Sequence, residues 1–157
     1  MEERSYGFVP LRRSSQGFDF LVVEAAGRGF RSFPKGHWEP GETPLQTATR
    51  ELLEETGCVP IEYWTGLGWS SSAEEARLVS TIQYCYTKRS GETGEKEVSL
   101  FMAIVEQRGE VLDRKEIAGV EWHPFHPSSA SVFSVPVKRS EFQQQILPLL
   151  AQIAEQH

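Results

Sequence analysis

The chain has 157 residues, with 22 Asp and Glu against 16 Lys and Arg, giving a formal charge of −6. Hydrophobic residues make up 39%, charged residues 24% and aromatic residues 11%, the balance of a globular domain with one core rather than of a disordered chain. The acidic excess, with no Lys/Arg block, excludes a strongly basic nucleic-acid module.

The opening Met1-Glu2-Glu3-Arg4-Ser5 is charged and leads into no apolar stretch, so a secretory signal is not expected. The longest apolar run, Leu100 to Val105, has six residues, far short of the roughly 20 needed to span a membrane. Cys58 and Cys85 read better as two reduced thiols than as a disulfide framework, and a cytoplasmic protein is expected.

Tyr6 to Leu11 reads as a short strand, with Pro10 marking an edge position. The Gln16-Gly17 step suits a hairpin turn into the apolar strand Phe18 to Val23, and a loop at Ala26-Gly27-Arg28-Gly29 precedes a short strand at Arg31 to Phe33. The clearest element is a helix. Thr43 caps it, Pro44 takes its first position, Gln46 completes a capping box and Gly57 stops it. Leu45, Ala48 and Leu52 recur at helical spacing and form its core stripe. Leu78 to Tyr86 and Lys96 to Glu106 read as two strands joined by a polar loop with Ser90, Gly91 and Gly94; a turn near Asp113 precedes a strand at Val120 to His123. The Pro/Ser-rich stretch from Pro124 to Pro136 breaks regular structure, and is long enough to act as a lid or to reshape a pocket. Ser140 with Gln143 forms a second capping box for an amphipathic helix carrying Phe142, Ile146, Leu149, Leu150 and Ile153, kinked at Pro148. Strands, helix, strands, helix predict an α/β protein with a mixed sheet between helices.

Chemistry concentrates on the first helix. Glu51, Glu54 and Glu55 stand at i, i+3 and i+4, so three like charges share one face and repel each other unless a cation neutralises them. From Gly36 to Gly57 there are five glutamates and one arginine, Arg50, a local charge of −4. Alone, such a triplet is more often a solvated acidic face. Here it follows a glycine-bearing loop, Lys35-Gly36-His37-Trp38-Glu39-Pro40-Gly41-Glu42, whose backbone can approach a metal or phosphate closely. An all-oxygen ligand set facing a phosphate-bearing substrate favours Mg²⁺, with Mn²⁺ the alternative.

Gly36, Glu42 and the run Arg50-Glu51-Leu52-Leu53-Glu54-Glu55-Thr56-Gly57 resemble the Nudix box, G-x5-E-x7-R-E-U-x-E-E-x-G-U with U a bulky aliphatic residue; only its last position departs, with Cys58 there. Seven residues of fixed type, each met by chance about 7% of the time, give roughly 10⁻⁸ per starting position. The resemblance implies a single domain over residues 1–157 with its box at 36–58, folded as an α/β/α sandwich, and a Mg²⁺-dependent pyrophosphohydrolase that cuts a nucleoside diphosphate linked to another group. It implies Gly36 (by its carbonyl), Glu51, Glu54 and Glu55 as metal ligands, Arg50 as the group that orients Glu51, and Glu42 as a support of the loop or the metal. Glu54, Glu55 or Glu116, the last in the loop Asp113-Arg114-Lys115-Glu116-Ile117, would take the proton of the attacking water.

The flanks refine the resemblance. Phe33-Pro34-Lys35-Gly36-His37, Tyr6-Gly7-Phe8-Val9-Pro10, Lys96-Glu97-Val98, and Glu116 ahead of Trp122 are similar to asymmetric diadenosine tetraphosphate hydrolases. That likeness implies Lys35, His37 and Lys96 as phosphate contacts and Tyr84 as an adenine stacker, with ATP and AMP as products. Where that subfamily carries an aromatic on the strand after the lysine this chain has Leu100, and Phe101 should face the other side of the sheet. A nucleotide sugar, a nucleoside triphosphate and 5′-triphosphorylated RNA are the alternative substrates, the last disfavoured by the acidic charge. A non-catalytic nucleotide-sensing domain is the reading from another class, which the complete set of box carboxylates does not favour. A nucleotide is the expected partner; a membrane or a long nucleic acid is not, and oligomeric state is left open.

Overall fold

A computed structural model describes residues 2–15 and 17–156. The proposed turn residue Gln16 lies outside the described residues, while the strands beside it pair as a hairpin, Ser14 opposite Gly17. Among the described residues, strands β1 (Glu2–Ser14), β2 (Gly17–Ala25), β3 (Arg31–Ser32), β4 (Lys35–His37), β5 (Cys58–Trp64), β6 (Trp69–Ser70), β7 (Leu78–Thr87), β8 (Thr93–Gln107) and β9 (Ile117–Pro124) form one mixed sheet. Its main path runs β3-β2-β1-β8-β5-β6, with β4 added to β1, β7 to β8 and β9 to β2.

The spine is the parallel pair β1 and β8, in register from Glu2 opposite Glu95 to Leu11 opposite Ile104. Parallel neighbours need a long crossover, and helix α1 (Pro44–Thr56) lies in that connection. Alternation along the strands then divides the core. Phe8, Leu21, Phe101, Ala103 and Val105 pack toward Ala48 and Leu52 of α1. Val9, Leu11, Phe20, Leu100 and Met102 face the opposite way and are covered by Phe142, Ile146, Leu150 and Ile153. The α/β sandwich with a mixed sheet is therefore observed, and Leu100 and Phe101 do separate to opposite faces.

Helix α1 begins and ends as its caps dictate. Thr43 Oγ1 accepts from the Gln46 N–H at 3.1 Å and Gln46 Oε1 accepts from the Thr43 N–H at 2.8 Å, while Gly57 adopts φ 77° and donates to the Leu53 carbonyl at 2.9 Å.

Four expectations need correction. Pro10 is not on an edge: β1 sits between β8 and the β2/β4 side. It fits because Phe8 donates toward Pro34, so alternation points the Pro10 nitrogen the same way, into the gap between the β4 pairing at Ser5–Gly7 and the β2 pairing at Leu11–Ser14. Strands β5 and β6 were not expected, because Pro60 and Gly66 to Gly68 mask their pattern; β5 accommodates Pro60 next to a register shift against β8. Gly94 belongs to β8 rather than to the loop, with the Tyr86 ring where a side chain would be.

The fourth concerns the last helix, which starts earlier than the Ser140–Gln143 pair suggests. It runs as α2 (Pro136–Glu141), a π-helical turn Phe142–Ile146 and α3 (Leu147–Gln156). Pro136 opens it with no donor to lose. The wide turn directly precedes Pro148, which offers no N–H to the carbonyl of Gln144 and crowds it. The Pro/Ser-rich stretch is pinned rather than free: Pro127–Val132 forms a 3₁₀ turn capped by His126, and the buried Phe133 ring lies 5.1 Å from Phe142 and 5.2 Å from Phe33. No helix among the described residues is long and apolar enough to cross a membrane.

Candidate active site

The box folds around Arg50. Its guanidinium donates from Nε to Glu42 Oε2 at 2.7 Å and from Nη2 to Glu42 Oε1 at 3.0 Å, a bidentate pair that ties the loop to the helix. It also donates from Nη1 to Glu51 Oε1 at 2.8 Å and from Nη2 to the His37 carbonyl at 3.2 Å, and stands 3.5 Å from Glu54 Oε2. Glu42 further accepts from the Thr47 hydroxyl at 2.9 Å and the Glu39 N–H at 3.2 Å. With Arg50 as the main cause, its carboxyl is held down at about 2, and the arginine in turn rises above its ordinary value. Glu42 is thus a permanent anion that holds Arg50, and Arg50 holds Glu51.

Strand β4 brings the Gly36 backbone against Glu51 so closely that a Cβ at Gly36 would overlap the Glu51 carboxyl group. Glu55 lies behind, only 7% exposed. Burial above all, then a hydrogen bond shared with Glu51 and the charge of that neighbour, push its carboxyl up to about 9; Lys35, by its charge and its backbone N–H, pulls the other way. Glu54 is raised in the same sense, by burial and the Glu51 charge. Among the described residues, no three His, Cys, Asp or Glu side chains already converge as a metal cage. The donor set nevertheless fits a hard cation: the Glu51 charge beside the buried Glu55 pushes the Glu55 carboxyl up, a repulsion that a divalent ion would balance.

The end of α1 also fixes the later loop. The Glu54 carbonyl accepts from the backbone N–H groups of Leu112 and Asp113, both at 2.9 Å, and the Gly57 carbonyl accepts from Arg108 and Gly109 at 2.9 and 3.0 Å. Asp113 Oδ1 then accepts from the Glu116 N–H at 3.3 Å, and the Glu116 carbonyl accepts from Ala26 at 2.7 Å. This anchoring places Glu116 on a cleft of about 540 Å³ whose charged lining includes Lys35, Glu55, Lys96, Lys115 and Lys138. Carboxyl and ammonium groups therefore line one opening.

The structure thus unites Lys35, Lys96, Glu55 and Glu116. Glu51 and Glu54 join the same helix face through Arg50. Tyr84 lines an adjoining narrow slot with Phe33, Leu100, Phe133 and Lys138, and its phenol is raised by burial. His37 stands apart, its imidazole exposed and 3.7 Å from Glu3, its carbonyl engaged by Arg50. The Lys96 ammonium lies 5.1 Å from the centre of the Tyr86 ring. Trp38 donates to the Glu42 carbonyl at 2.7 Å, whereas Trp64 and Trp69 belong to the core. Two residues at this site escaped the sequence reading, Lys138 and Glu141 of α2. One signal was available: Lys138 lies four residues before Phe142 and eight before Ile146, so a lysine shares the buried stripe of the helix.

The likeness to known proteins agrees with this geometry. Nudix hydrolase 12, mitochondrial, of Arabidopsis thaliana is 32% identical over 99 residues, 51% of this chain and 49% of that protein. The asymmetrical bis(5′-nucleosyl)-tetraphosphatase of Sus scrofa is 41% identical over 64 residues, 36% of this chain and 44% of that protein. This chain spans about half, or less, of the length of these curated relatives. A crystal structure of a C. elegans Ap4A hydrolase binary complex shares the fold, with a TM-score of 0.58 and 17% identity over 98% of this chain and 96% of that one. The model of the NUDIX domain matches residues 1–128. A match of that extent, over a chain with the capped glutamate helix, the glycine loop laid on it and the two-faced mixed sheet, makes this protein a member of the NUDIX domain family.

Proposed function

We propose that the protein is a divalent-metal-dependent pyrophosphohydrolase, and that its substrate is a dinucleoside polyphosphate, diadenosine tetraphosphate, split into ATP and AMP. The observation that carries this reading is the single cleft in which Glu55 and Glu116 face Lys35 and Lys96. A phosphoanhydride resists water because its negative oxygens repel the nucleophile, so a catalyst must supply positive charge to the phosphates and a base to the water.

Glu51, Glu54, Glu55 and the Gly36 carbonyl would hold the ion, Mg²⁺ or Mn²⁺, which when bound supplies Lewis-acid charge to the phosphates and makes nearby water more acidic. The chain's own groups do the rest. Lys35 and Lys96 hold the phosphate oxygens, with His37 on the outer side of the loop. Arg50 keeps Glu51 in one orientation. Glu116 accepts the proton as the water oxygen bonds to phosphorus, and the bond from that phosphorus to the bridging oxygen breaks, leaving with the second phosphate group. Tyr84, on the lining of the apolar slot, supplies a face for the base.

The name of the Sus scrofa relative supports the tetraphosphate substrate. Cys58 and Cys85 are both free thiols, which suits the reducing cytoplasm. The test is hydrolysis, with products identified, of diadenosine tetraphosphate, ADP-ribose, a nucleoside triphosphate and a 5′-triphosphorylated RNA. The expected result is ATP and AMP from the first, abolished by chelation. Turnover that survives EDTA, or cleavage of another compound in preference, would overturn the reading.

A further inference from the structure

Four lysines line the cleft, and three of them reach it from separate regular elements: Lys35 from β4, Lys96 from β8 and Lys138 from the first turns of the C-terminal helix, with Lys115 and Arg28 on the loops beside them. The three are far apart in sequence and are gathered only by folding. None has a carboxylate within ion-pairing distance among the described residues. The nearest acidic neighbours that act on Lys138 are Glu141 and Glu55, and Glu141 is engaged with the Ser80 hydroxyl at 2.9 Å. Like charges gathered in a half-buried cleft cost stability when no carboxylate pairs with them directly, and here Glu55 and Glu116 share the lining without forming an ion pair to any of the three. Nothing in the packing compels the arrangement, since a methionine at 138 would cover the same apolar ground. Such an arrangement is explained by an anion that enters from outside.

We propose that Lys138 is a phosphate-binding residue, the third member of a cradle with Lys35 and Lys96, so that the C-terminal helix takes part in holding the substrate's phosphate chain. This rests on reading the cleft as the pyrophosphohydrolase site. The state of the free protein accords with it: burial first, then the charges of Lys35 and Lys96, press the Lys138 ammonium down to about 8, and Lys35 is lowered by burial and Lys96 in the same way. A bound polyphosphate relieves that repulsion directly. Lys138 also lines the apolar slot beside Tyr84, Phe133 and Leu100. It therefore stands where the phosphate chain would pass from the lysines toward the base.

The probe is inorganic tripolyphosphate, titrated calorimetrically into the full chain with EDTA at pH 7, so that turnover is blocked and binding alone is read. Lys138→Met should raise the dissociation constant about tenfold and reduce the slope of log affinity against log salt by about one, the signature of a single lost phosphate contact. Lys138→Arg should stay within about threefold of wild type. Arg77→Met, whose guanidinium is exposed and donates to the Glu74 and Ala76 carbonyls away from the cleft lining, controls for net charge and should leave affinity within about twofold. In steady-state hydrolysis, Lys138→Met should raise KM with little change in kcat. No tripolyphosphate binding by wild type, equal losses in Lys138→Met and Arg77→Met, or a changed melting temperature with unchanged affinity would each overturn the proposal. Binding that depends on Lys138 in a protein that hydrolyses nothing would instead defeat the functional reading and leave this cradle standing; Mg²⁺-dependent hydrolysis indifferent to Lys138 would do the reverse.

Discussion

The two walls of the cleft are built in opposite ways. Most of the acidic wall comes from one contiguous stretch, Gly36 to Gly57, in which capping, helical spacing and the Arg50 clamp place the glutamates of α1, and Glu116 joins it from the loop that the end of α1 anchors. The basic wall takes Lys35, Lys96 and Lys138 from two strands and a helix that meet only once the sheet has closed and the last helix has docked. Each wall is strained by like charge, and under the proposed function cations would relieve the carboxylates and phosphates the lysines. The lesson is that the chemistry of the acidic wall is a property of a segment, whereas that of the basic wall is a property of the fold.

Perturbations should therefore act differently on the two. The largest expected effect is on rate: Glu54→Gln, on an accessible side chain at the acidic wall, should lower kcat about a thousandfold or more with a nearly unchanged melting temperature. Initial rates at saturating Mg²⁺ beside a thermal melt decide it, and a loss below about tenfold would mean that the wall is scaffold rather than chemistry. Leu52→Ala, on the opposite, fully buried face of the same helix, should do the converse and cost about 2–5 kcal/mol of stability while the folded fraction keeps its turnover. Denaturant unfolding with activity normalised to folded protein separates the two faces; a proportional loss of both would erase the distinction.

Gly36→Ala tests where loop and helix meet. Its new Cβ would displace the Glu51 carboxyl, and a shift of that order costs about a hundredfold in rate. Restoration by the double variant with Glu51→Gly would show only relief of the clash, so recovered stability without recovered kcat is the expected pattern.

The smallest effects lie in pH dependence, and their signs differ within one helix. Glu42 is held at about 2, against an ordinary value of 4.5, so the stability it contributes is complete above the ordinary value and lost as pH falls toward about 2. Wild type should lose stability across that window faster than Glu42→Gln. Glu55, raised to about 9, behaves oppositely in metal-free protein: its protonated form is the favoured one, and the stability linked to it declines as pH rises from about 4.5 to about 9. Urea midpoints measured against pH, with EDTA, read both slopes. A Glu55→Gln variant with the same alkaline slope as wild type would show that Glu55 does not keep that proton.

Much of this was legible before any coordinates. Thr43, Pro44, Gln46 and Gly57 bounded α1 correctly because caps act through hydrogen bonds within a few residues of chain. Alternation put Leu100 and Phe101 on opposite faces for an equally local reason. Pro10 misled because a missing donor shows only that its nitrogen is unpaired, and a gap between two partners serves as well as an edge. Strand β5 was hidden because Pro60 interrupts its pattern, and pairing with β8 supplies what propensity lacks. Ser140 resembled a cap, yet Pro136 and the docking of Phe142 against Phe20 and Phe133 started the helix a turn earlier.

The amino-acid order by itself determined the family, the capped helix and its row of glutamates, since these depend on neighbours along the chain at a spacing of 3.6 residues per turn. Only the tertiary structure decided that His37 turns outward while its carbonyl meets Arg50, that Glu55 is buried beside Lys35, and that Lys138 joins Lys35 and Lys96. Those relations depend on which strands pair and where the last helix lands. Long-range packing energy sets them, and no local pattern records it.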